Sequence, residues 1–66
     1  MQRQKIRDLA EMRPGDLLIS GVNNQILMIV QRVTTTDVVF WHNQLLPLTY
    51  LQAAMNADLL TIERGV

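Results

Sequence analysis

The chain contains no cysteine, so no disulfide can staple it and no thiolate can hold a metal. It has one histidine, His42, and one serine, Ser20. A structural zinc site would need several carboxylates in place of the missing ligands, so no metal and no cofactor are expected. A hydrolytic triad would have to use Ser20 and His42 with Asp16 or Asp37, and their spacing matches no triad motif. The three glycines, Gly15, Gly21 and Gly65, stand too far apart for a phosphate-cradling loop. Charge of one sign is also missing: six basic and six acidic residues cancel. Strong nonspecific nucleic-acid binding relies on many phosphate contacts, and a neutral chain disfavours it.

With 66 residues, the chain makes one domain (1–66), with residues 1–4 expected to be frayed, and is too short for a multidomain enzyme. A domain this small hides only about 60% of its extended surface on folding, so self-association is one route to added support. No secretory signal is visible, because the N-terminus is polar through Gln4 and no apolar run follows it. Val38 to Ala57 carries no formal charge across twenty residues. His42, Asn43, Gln44, Pro47, Gln52 and Asn56 interrupt that stretch, and a bilayer core would penalise them. A cytoplasmic protein is the expectation.

What the chain has is apolar residues, 48% of the total, in short blocks. Ile6, Leu9, Ala10 and Met12 recur at helical spacing and predict a two-turn helix over Lys5 to Met12. Arg13-Pro14-Gly15-Asp16 stops it. Leu17 to Ser20 reads as a strand, and Gly21-Val22-Asn23-Asn24 supplies turn chemistry. Ile26 to Val33 is the strongest strand in the chain, β-branched at Ile26, Ile29, Val30 and Val33. Ile26, Met28 and Val30 line one of its sides and Leu27 and Ile29 the other, so both sides are apolar. Such a pattern fits a strand covered on both faces, or a strongly curved one.

Thr34-Thr35-Thr36-Asp37 predicts a short connection to a third strand, Val38 to His42. Val38, Phe40 and His42 share one face of that strand, and Val39 and Trp41 the other. Asn43-Gln44 follows as a turn. Leu45 to Leu48 makes a fourth strand, at an edge because of Pro47. Thr49 is a candidate helix cap for one or two turns over Tyr50 to Met55. Leu59 to Arg64 is the last strand.

This order resembles the SH3-like small β-barrels of bacterial and phage proteins. The residues that carry the likeness are Arg13-Pro14-Gly15-Asp16 leading into Leu17-Leu18-Ile19, the hairpin Ile26 to His42, and the helical turn before Leu59 to Arg64. The resemblance implies a mainly β, five-stranded antiparallel SH3-like barrel, here with a short N-terminal helix and a helical turn before the last strand. It does not imply one activity, since such barrels bind proteins, RNA, DNA or peptides, or assemble with themselves. The acidic loop and paired aromatics of peptide-binding SH3 domains are absent. So is the basic, glycine-centred turn of the KOW motif.

Two sets of residues are candidates for binding. Aromatics and arginine are enriched at interaction hot spots, which singles out Arg32, Phe40, Trp41, His42 and Tyr50. One of Phe40 and Trp41 must face the core, leaving the other at the surface. The hairpin is also rich in amides and poor in charge, as interface cores are. These features predict a non-enzymatic protein-interaction module that binds a protein partner or itself. The alternative is a nucleic-acid-binding or transcription-associated barrel using Arg3, Lys5, Arg7, Arg13 and Arg32. Residues 1–13 carry a net charge of +2, and a helix would put Arg3 and Arg7 on one face without Lys5.

Overall fold

In the computed structural model, which describes residues 2–65, the longest apolar run becomes the longest strand. Six antiparallel strands form one open sheet: β1 (Arg3–Ile6), β2 (Leu17–Ser20), β3 (Ile26–Val33), β4 (Asp37–Phe40), β5 (Gln44–Pro47) and β6 (Leu60–Gly65). A 3₁₀ turn (Leu9–Glu11) follows β1, and one helix, α1 (Leu48–Asn56), joins β5 to β6. The strand order is β1-β6-β2-β3-β4-β5. Among the described residues, no helix is long and apolar enough to cross a membrane.

Three expectations are corrected. The N-terminal helix is a strand followed by a 3₁₀ turn. Arg3 and Gln4 are paired in β1, and Met1 lies outside the described residues. The apolar spacing of Ile6, Leu9 and Met12 is real, because Ile6 and Met12 are buried and Leu9 packs on the same core. The backbone conformation differs because β6 offers β1 a full ladder of hydrogen-bond partners, whereas a two-turn helix lacks the length to form unaided. Asp8 then starts a helical turn late: its carboxylate accepts the Ala10 N–H at 2.9 Å. The sheet, secondly, has six strands rather than five. Thirdly, it is not a closed barrel, since β1 and β5 are left as its two edges.

Cross-strand pairs share a face, so the register sorts the side chains. Leu18 lies opposite Met28 and Ile62, Ile6 opposite Ile62, and Val30 opposite Phe40. These residues, with Val38 and Leu51, form the core on the inner face. The helix α1 returns the chain from one edge toward the other and lays Leu51 against that face, with Ala54 also buried. Bulges at Leu27 in β3, where Leu18 and Ile19 face Met28 and Ile26, and again at Gln31 let β3 curve between the two halves of the sheet.

The turns behave as their chemistry requires. Thr34 closes the β3–β4 connection: its hydroxyl donates to the Asp37 carbonyl at 3.1 Å and accepts the Asp37 N–H at 2.9 Å. At Gly21 the need is proximity, not a positive φ: a Cβ there would overlap the Asp58 carbonyl oxygen. Thr49 is not the helix cap. Pro47 occupies that position without a side-chain bond, and the Leu48 N–H instead donates to the Thr36 carbonyl at 2.9 Å. The helix ends in a Schellman motif. Asp58 adopts φ 59°, its N–H donates to Met55, and the Leu59 N–H donates to Ala54 at 2.9 Å.

Candidate functional site

The outer face of the sheet falls into two chemically different halves. On β6 and β1 it carries Thr61, Glu63, Lys5 and Arg3, by the pairs Ile19–Thr61, Leu17–Glu63 and Lys5–Glu63. Arg3 Nε stands 3.6 Å from Glu63 Oε1. On β2 to β5 the same face is apolar. Leu17 pairs with Ile29 and Ile19 with Ile26, while Val39 pairs with Leu45. The Trp41 N–H donates to the Ile29 carbonyl at 3.0 Å, which extends the β3–β4 ladder by one bond and sets Trp41 beside Ile29.

Burial separates these residues. Ile19 is fully buried, whereas Ile26, Leu27, Ile29, Trp41 and Leu45 are 54, 49, 42, 53 and 55% exposed. Ile26, Leu27, Met28, Ile29, Trp41 and His42, with Gln44, line a groove of about 380 Å³. It opens where β4 stops at Phe40 while β3 runs on to Ile26. Trp41, His42 and Asn43 turn away there, with φ of 71° at His42 and 61° at Asn43. Histidine and asparagine are among the side chains that tolerate that region. The expected third strand therefore ends two residues earlier than Val38 to His42 implies.

The predicted protein-contact residues do not form one cluster. Phe40 is corrected: it is fully buried at the centre of the core and presents no surface. Trp41 and His42 lie together at the groove. The groove wraps from the outer face around the open end of the hairpin, since Met28 and Gln44 lie on the inner side; Arg32 is exposed on the outer face, opposite Val39 at the far end. Tyr50 is exposed in the first turn of α1 and does not line the groove. The residues that the sequence reading missed are Ile26, Ile29 and Leu45. For Ile26 and Ile29 the signal was the two-sided apolar pattern of β3, with the correction that the bulge at Leu27 moves Ile26 from the Met28 side to the Ile29 side; Leu45, in β5, gave none.

The basic residues are scattered. Arg3 and Lys5 alternate along a strand and share its outer face, a correction of the helical pairing of Arg3 with Arg7. Lys5 and Arg7 line a second groove, of about 330 Å³, together with Asp58, Gln52 and Asn56. Arg13 lies in the turn before β2. Arg32 is separated from β1 by β6 and β2, which at the usual strand spacing is on the order of 14 Å.

The candidate nucleophile and acids have separate partners. Ser20 Oγ accepts the Val22 N–H at 3.3 Å, and Asp37 Oδ2 accepts the Thr36 hydroxyl at 2.7 Å. Among the described residues, no three of His, Asp and Glu could share a metal ion. Asp16 is 1% exposed. Its Oδ1 accepts Arg64 Nε at 2.8 Å, and its Oδ2 accepts an Arg64 terminal N–H at 3.0 Å and the Arg13 N–H at 2.8 Å. The same Arg64 nitrogen donates to the Glu11 carbonyl at 2.8 Å. Burial pushes the Asp16 carboxyl up, but the Arg64 hydrogen bonds, the Arg13 amide and both positive charges outweigh burial and hold it below its ordinary value. That constellation is a structural clamp, tying the turn before β2 to β6.

Compared with family models, with curated proteins and with solved structures, the chain matches none.

Proposed function

We propose that this chain is a non-enzymatic protein-interaction module that binds through the apolar half of its outer sheet face. One observation carries the reading: Ile26, Ile29, Trp41 and Leu45 lie on one face and are each about half exposed. These side chains and Leu27 present on the order of 500 Å² of surface, in the upper part of the range that monomers leave open, where patches are often functional.

The edges are poorer candidates than the face. Alternation along β5 points Pro47 outward, and proline removes a donor from that edge. The other edge, β1, carries Arg3 and Lys5, and charge protects a strand from pairing with another chain. Nucleic-acid binding remains the second reading, favoured by Lys5 and Arg7 in one groove. The acid Asp58 beside them and the Arg3–Glu63 contact weigh against it.

The test is capture from a native lysate through a photo-crosslinking residue at Leu45, with and without Ile29→Glu. A partner captured by the parent chain and lost in the variant is the expected result. Equal capture by both would refute the reading. A salt-sensitive mobility shift abolished by Arg3→Ser, Lys5→Ser and Arg7→Ser together would replace it with the second.

A further inference from the structure

We infer that the partner on this face is a second copy of the chain, docked face to face about a two-fold axis near Ile29 and Trp41. This rests on the interaction reading above and specifies its occupant. The exposed area fits a second copy. A stable interface takes about 800 Å² from each partner, and homodimer interfaces are about 65% apolar. That requirement is close to the roughly 500 Å² of apolar surface on offer.

The distribution of charge fits it too. Residues 17–31 and 38–57 include no Asp, Glu, Lys or Arg. A charged partner would find nothing to pair with here and would bury its own ions without compensation. The face's complement must itself be apolar and neutral, and this chain's own face meets that requirement. In a two-fold interface the same patch serves both sides, so any charge at its centre would meet its own like. The centre holds none. Arg32 and Asp37 sit at the far end of the face, beside the Thr34–Thr36 loop, and a two-fold near Ile29 carries their copies to opposite margins. Lys5, Arg3 and Glu63 stay outside, on the charged half.

Sedimentation velocity on the full chain, from about 1 μM to about 1 mM, tests the inference. The expected result is a reversible monomer–dimer equilibrium. Trp41, the single tryptophan, reports the same event by a blue shift and weaker acrylamide quenching as concentration rises. Ile29→Glu places two facing carboxylates in the interface and is expected to raise the dissociation constant about 100-fold or more. Leu45→Glu, on the edge strand, gives a second variant should Ile29→Glu fail to fold; circular dichroism at low concentration checks both. A monomer throughout, or a dimer that both folded glutamate variants preserve, overturns the second copy. If the monomer still crosslinks another protein through Leu45 in an Ile29-dependent way, the interaction reading survives alone. If it does not, both fall.

Discussion

Replacing Asp16 by asparagine keeps the size of a buried side chain and removes its charge. The carboxylate accepts three hydrogen bonds, two from Arg64 and one from the Arg13 amide. An asparagine must point its NH₂ at one of these donors, so one or two of the three are lost and a buried donor faces a donor. Bonds to charged groups contribute about 1.5–3 kcal/mol each, and Arg64 is partly solvated, so the expected cost is about 2–3 kcal/mol. At roughly 7 °C per kcal/mol for a domain of this size, the melting temperature falls by about 15–20 °C. The same group sets an acid limit. Its folded-state pKa is lowered, so the stability it contributes is fully present above its unfolded value near 3.9. That contribution is lost as pH falls through the lower folded value. The gap between parent and variant should therefore stay constant from neutral pH to about pH 5 and narrow below about pH 4. Urea titrations followed by circular dichroism, at one protein concentration and a series of pH values, measure both quantities. A variant within about 0.5 kcal/mol of the parent at neutral pH, or a gap unchanged in strong acid, would refute the clamp. The double variant Asp16→Asn with Arg64→Met should cost less than the two single effects combined, because they share one interaction.

Three further outcomes follow from the packing. Phe40→Ala empties a fully buried site and should cost about 3–5 kcal/mol, whereas Trp41→Ala should change monomer stability by under about 1 kcal/mol; chemical denaturation of both separates the two faces. Gly21→Ala drives a methyl into the Asp58 carbonyl and should abolish folding or displace the α1–β6 connection, visible as lost dispersion in amide NMR spectra. Asp58→Gly relieves the left-handed residue that ends α1 and should stabilise by about 0.5–1 kcal/mol, read as a higher melting temperature.

Local pattern was enough for the strands and loops that make their contacts nearby. Leu17–Ser20 and Ile26–Val33 are legible as strands from their apolar and β-branched residues, although bulges at Leu27 and Gln31 break the alternation of the second, and the Thr34–Thr36 connection closes on its own hydroxyl. Pro47 marks an edge because no inner strand accepts it. The misreadings share a cause, which is competition from a distant partner. Arg3–Ile6 alternates too weakly to announce a strand, and only the free edge of β6 makes it one. Asp16 reads as a turn residue because Arg64, its counter-ion, lies 48 positions away. In space, continuing the Leu17–Glu63 register by one residue sets the two directly opposite. Trp41 leaves the strand because His42 and Asn43 take positive φ, which composition permits but does not dictate.

The candidate surface follows from the one pattern that a single chain of this size could not satisfy. A strand apolar on both sides asks for cover on both sides. On the inner side the demand is met, since α1 and the neighbouring strands bury Val30 and leave Met28 packed on the core. On the outer side Ile26 and Ile29 stay about half exposed, and the nearest additions are Trp41 and Leu45, which enlarge the patch instead of shielding it. Selection for stability of an isolated monomer would favour polar residues at those four positions, as it does at Thr61 and Glu63 on the same face two strands away. On the proposed reading their apolar character answers to contact made after folding, and the sharp boundary between the two halves of the face is where that contact would stop.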